Sequence, residues 1–123
     1  MSGRVSFTPP LALASLSGEA DADWARAGAD YAGAAFLGGI ALDADARAAA
    51  RDLVARDRSE FLPDDPLGFI DRQLAALEDV PLQPAFNVRS ATVDPMADAA
   101  RVCRDRDAYL EINAHCRQDE LCA

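Results

Sequence analysis

What most constrains this chain is an alternation. Short runs of small and apolar residues at 11–17, 31–37, 82–88 and 108–113 are separated by stretches whose apolar residues recur with helical spacing. Asp43 stands ready as an N-cap, and behind it Ala46, Ala49, Ala50, Leu53 and Val54 follow the i, i+3, i+4, i+7, i+8 pattern of one buried helix face. Asp65-Pro66 opens a second helix with Leu67, Ile70, Leu74 and Leu77 inward, proline suiting a first-turn position whose N–H has no partner. Asp94-Pro95 repeats that start ahead of a Met96, Ala99, Ala100, Cys103 stripe, and a shorter helix at 20–27 carries Trp24, with Gly28 as its C-cap. A polar break covers 56–64. The resulting order, β-α-β-α-α-β-α-β, predicts parallel strands joined by right-handed crossovers. An open doubly wound sheet and part of a (β/α)8 barrel both fit. No Gly-x-Gly-x-x-Gly follows the first strand, which argues against a dinucleotide-binding sheet.

A complete barrel takes about 250 residues. At 123 residues the chain supplies about four of its eight β/α units. The predicted fold is therefore α/β, the N-terminal half of a (β/α)8 TIM barrel with parallel strands. It forms one incomplete domain over 1–123, truncated after strand four, with 1–10 as an extended leader closed by Pro9-Pro10. Its first and fourth strands are open edges, through which it is expected to self-associate or to pair with a missing C-terminal half.

Charge limits the partners. Twelve arginines, no lysine and 21 acids give a net charge of −9, which does not by itself attract nucleic acid or an anionic membrane. The same balance suits either a salt-loving host with a GC-rich genome or an ordinary acidic protein. The N-terminus lacks a signal-peptide apolar core, and Leu11 to Leu16 is far too short to span a bilayer. Cys103, Cys116 and Cys122 make an odd count without framework spacing, so a reducing cytoplasm is the expected location.

The polar candidates all fall at the carboxyl ends of the predicted strands, where parallel α/β proteins place their active sites. Ser15 and Ser17 end the first. Gly38 and Gly39 end the second in a tight turn, Asn87 ends the third, and Asn113, His115 and Cys116 follow the fourth. Cys103 sits on an apolar stripe and reads as packing, His115 as structural and Arg89 as a surface charge. His115, Cys116 and Cys122 raise zinc, but no spaced cysteine pair supports it, and no metal is expected.

Glu111-Ile-Asn-Ala-His-Cys116 resembles the strand-four motif of the dihydrouridine synthases, Asp-Ile-Asn-x-Gly-Cys-Pro, and more broadly the flavin mononucleotide barrels that include dihydroorotate dehydrogenase. Asn87-Val-Arg-Ser90 with Asp94-Pro95 resembles the family's Gln-Leu-x-Gly-x-Asp-Pro segment, and Leu13 to Gly18 falls where the family's first strand lines the flavin. The nearest likeness is to archaeal barrel proteins in which His-Cys-Arg replaces Gly-Cys-Pro. The resemblance implies a flavin-dependent oxidoreductase that reduces the C5–C6 bond of uridine in tRNA, with NAD(P)H as reductant. A dihydroorotate-type dehydrogenase acting on a free pyrimidine, or a non-catalytic half barrel, is the alternative. It further implies Cys116 as proton donor, and Ala14, Ser15, Asn87 and Asn113 against FMN. His115 in place of glycine and Arg117 in place of proline depart from the motif. The family's later-strand flavin contacts and its phosphate site have no counterpart in this chain, so the fragment alone is expected to be inactive.

Overall fold

A computed structural model describes residues 5–114 of the 123. The elements run β1 (Ala12–Leu13), α1 (Ala22–Gly28), β2 (Ala34–Ala41), α2 (Ala44–Val54), α3 (Pro66–Ala75), β3 (Gln83–Arg89), α4 (Val93–Asp105) and β4 (Tyr109–Ile112). The four strands form one parallel sheet in the order β1-β2-β3-β4, the arrangement of a half-barrel of β/α units. Among the described residues no helix is long and apolar enough to cross a membrane.

Local chemistry starts three of the helices. The side chains of Asp21, Asp43 and Asp65 accept the N–H groups of Trp24, Ala46 and Gly68, satisfying donors that a first helical turn leaves unpaired. At α4 the expected cap is displaced. Thr92 occupies the N-cap without a side-chain bond of its own to the helix, and Asp94 lies inside the first turn, where its charge suits the positive helix end.

The core lies between the sheet and the helices. Leu37, Phe86 and Leu110 are paired in register across β2, β3 and β4, and pack with Ile70, Leu74, Leu77, Ala99 and Cys103. Phe69 meets Phe86 edge to face at 6.2 Å. Two stripe positions differ from expectation. Ala100 is exposed, and Val54 is 43% exposed because it is the last residue of α2, where the chain turns away at Ala55. At the far end of α4, the Arg106 guanidinium donates to Asp71 and Glu78, tying that helix to α3 and the turn after it. The bonds from Arg106 hold the Asp71 carboxyl below the ordinary carboxylate range.

Two strand boundaries are corrected. β1 is only two residues long, so Ala14 and Ser15 lie in the loop beyond it. β2 does not stop at Gly38-Gly39 but runs on to Ala41. The register shifts between Gly38 and Ile40, and the glycines absorb that bulge inside the strand. Gly38 adopts φ +97° and donates its N–H to the Ala20 carbonyl at 3.0 Å.

Candidate functional site at the carboxyl ends of the strands

Side chains alternate across a strand, so the residues between the core positions face the side of the sheet away from the helices. On β3 and β4 these include Asn87 and Glu111, which are direct register partners. Asn87 is 6% exposed, and its Nδ2 donates to Glu111 Oε1 at 2.6 Å. An ionised carboxylate only accepts, so this bond fixes which end of the Asn87 amide is which. Oδ1 points the other way, toward β2, into space left open by the missing side chain of Gly39. A Cβ there would collide with Oδ1 and stand 3.7 Å from Ser17 Oγ. The first loop, β2, β3 and β4 thus bring Ser17, Gly39, Asn87 and Glu111 together.

Two residues further along β3, Arg89 lies on the same face. The sequence suggests a surface charge, but Arg89 is 8% exposed and pairs with Glu60 at 2.9 Å. Glu60 belongs to the loop between α2 and α3. That loop is drawn over the sheet end because Phe61 bridges to Ile40 and because Gly18 packs directly on the backbone of Ser59 and Glu60. Buried charge is tolerated here through pairing. The Arg89 Nε is buried with no hydrogen-bond partner among the described residues. Asn87 and Arg89, the inward polar residues at the end of β3, are therefore each held by a carboxylate from another segment.

Of the sequence-derived candidates, Asn87 and Asn113 come to the same end of the sheet. The Asn113 main-chain N–H donates to the Val88 carbonyl at 2.8 Å just past β4. Ala14 is exposed and Ser15 half-buried in the loop after β1. Cys116, with His115 and Cys122, lies outside the described residues. Cys103 is buried among α4 core contacts, and that burial pushes its thiol up to about 11. Among the described residues no cluster of His, Cys, Asp and Glu could hold a metal ion.

Glu60 and Glu111 are the site residues that sequence reasoning missed. Glu111 could have been found, because it alternates with Leu110 and Ile112 and precedes Asn113 by two. Nothing in the polar 56–64 stretch singled out Glu60. Two clefts, of about 370 and 380 Å³, lie at the opposite end of the sheet and share Val80, Leu82 and Gln83 in their linings.

No protein-family model matches the chain, and no solved structure matches it. An uncharacterized protein of Methanocaldococcus jannaschii is 28% identical over 113 residues, covering 90% of this chain and 44% of that protein. The chain thus spans less than half the length of the curated relative it matches. Those proportions put the relative at roughly 250 residues, the size of a complete (β/α)8 barrel.

Proposed function

We propose that this chain is the first half of a flavin-dependent oxidoreductase barrel of the dihydrouridine synthase type, acting on the C5–C6 bond of uridine. The observation that carries the reading is the Asn87–Glu111 hydrogen bond. It presents an oriented amide on the inner face of a parallel sheet, at the strand ends and two residues from Asn113. The strand-four motif supports it, as does a relative of barrel length.

The residues present suit one edge of a flavin ring. Asn87 offers its acceptor oxygen, Asn113 carries both donor and acceptor groups, and Gly39 leaves no side chain beside the Asn87 oxygen. In such barrels the phosphate is held after strands seven and eight. When bound, reduced flavin supplies the hydride. Cys116 supplies the proton to the neighbouring carbon, since a thiol with an unperturbed pKa of ~8.5 is mostly protonated at neutral pH. Asn87 and Asn113 orient the ring, and the loop anchored by Arg89 and Glu60 shields the site from water.

The test is single-turnover oxidation of reduced flavin by uridine-containing tRNA in the complete barrel. Cys116→Ala should retain flavin and lose about 10²–10⁴-fold in product formation, whereas Cys103→Ala should leave the chemistry unchanged. Full activity in Cys116→Ala would reduce the resemblance to fold alone. The net charge of −9 favours a second substrate class, a free pyrimidine, and reduction of oxidised flavin by dihydroorotate, with orotate as product, separates the two.

A further inference from the structure

We infer that Glu111 is a positioning residue that sets the polarity of the site, and that the ligand read there is a heterocycle offering an N–H donor, such as an imide. The inference rests on the reading of this sheet end as a ring-binding site. Asn87 is the polar side chain at its centre, and an amide has two ends of similar shape and opposite hydrogen-bonding character. Left alone, it could turn by half a rotation and offer either. Glu111 removes the choice. It sits directly across from Asn87 in the parallel register and accepts one of the two Nδ2 hydrogens, 2.6 Å between nitrogen and oxygen, an interaction in which a carboxylate has no donor to return.

The other end of the amide is then an acceptor by necessity. Oδ1 lies toward β2 in the space that Gly39 leaves free, and among the described residues no donor reaches it. Gly39 therefore does two things: it makes room for the fixed orientation, and it keeps a side chain from covering the oxygen. A ligand placed over this end of the sheet meets a carbonyl oxygen and must bring a hydrogen to it. A ring nitrogen bearing hydrogen satisfies this, and the same nitrogen bearing a methyl group leaves a nearly buried acceptor unpaired.

The experiment is a binding titration on the complete barrel, following the Asn87 side-chain amide by NMR. The probes are FMN and its N3-methyl derivative, and uracil and 3-methyluracil, at millimolar concentration. In the unmodified chain, methylation should weaken binding at least tenfold within each pair. In Glu111→Gln the neighbouring amide can either accept or donate, so Asn87 can turn and the preference should fall to about twofold. Glu111→Asp keeps an acceptor-only partner and should restore part of it. Uracil discriminated while FMN does not bind would uphold the role of Glu111 and remove the flavin reading. FMN bound with no effect of methylation would overturn the inference and leave that reading standing. Unchanged discrimination in Glu111→Gln, or no binding of any imide, would also overturn it.

Discussion

Arg89 and Glu60 form a buried ion pair, 2.9 Å between nitrogen and oxygen, that fastens the loop between α2 and α3 to the carboxyl end of β3. Their side chains are 10% and 7% exposed, so neither charge has water to fall back on. Removing one partner strands the other. Glu60→Ala or Arg89→Met is expected to cost about 3–5 kcal/mol of unfolding free energy, while replacing both with apolar residues should recover most of the loss. Urea unfolding of the two single variants and the double variant checks this. Independent, additive losses would mean the pair is not coupled.

Two glycines near the site should respond differently to the same added methyl. At Gly18, φ is +80° and a Cβ would lie 2.6 Å from backbone atoms of Ser59 and Glu60, which cannot move without lifting the loop. At Gly39 the obstacle is the tip of the Asn87 side chain, which can swing aside. Gly18→Ala should cost about 2–4 kcal/mol. Gly39→Ala should cost about 1–2 kcal/mol through the Asn87–Glu111 bond it disturbs. Thermal unfolding ranks the two. A larger loss at Gly39 would contradict this account.

Asp43 does more than cap α2. Its carboxylate accepts the N–H of Ala46 at 2.9 Å, the N–H of Ala91 at 2.9 Å and the hydroxyl of Thr92 at 3.0 Å, joining the start of α2 to the segment after β3. Partial burial pushes this carboxyl up, but the bonds from Ala46, Thr92, Ser90 and Ala91 together outweigh it and hold it below the ordinary 3.8. A depressed folded-state value means the stabilisation is present above the unfolded value and is lost as the pH falls through the folded one. Asp43→Ala is therefore expected to cost about 1–2 kcal/mol at neutral pH, and the gap to the unmodified protein should close as the pH drops below 3.8. A gap of constant size across that range would exclude the carboxylate as its source.

Cys103 should behave as a core residue. Burial raises its thiol from 9.0 to about 11, so the unfolded chain gives up this proton first as the solution becomes alkaline. The stabilisation is complete below pH 9 and is lost as the pH rises toward 11. Cys103→Ala should cost about 1–2 kcal/mol at neutral pH through the cavity it leaves. It should also remove this thiol's share of the alkaline fall in stability. Rapid reaction of Cys103 with a thiol reagent in the native state at pH 8 would show that it is not enclosed.

The sequence alone determined the parallel α/β alternation and most of the helix starts, because those are settled within a few residues of chain. Asp43 reaches Ala46 and Asp65 reaches Gly68 whatever the rest of the molecule does. The stripe Ala46, Ala49, Ala50 and Leu53 is buried as its spacing requires. Where the sequence offered two competing local signals it misled. Gly38-Gly39 looks like a turn, and Asp94-Pro95 like a cap, until pairing with β3 carries β2 through the glycines and Thr92 takes the cap position. The site was legible only in its parts. Asn87 and Asn113 stood out as polar residues at strand ends, but Glu111 and Glu60 gained their roles from partners 24 and 29 positions away. Only the register of β3 against β4, and the fold of a polar loop over the sheet, brought those side chains into contact. Register is set by which faces bury apolar surface across the whole sheet, and no local pattern of residues contains that information.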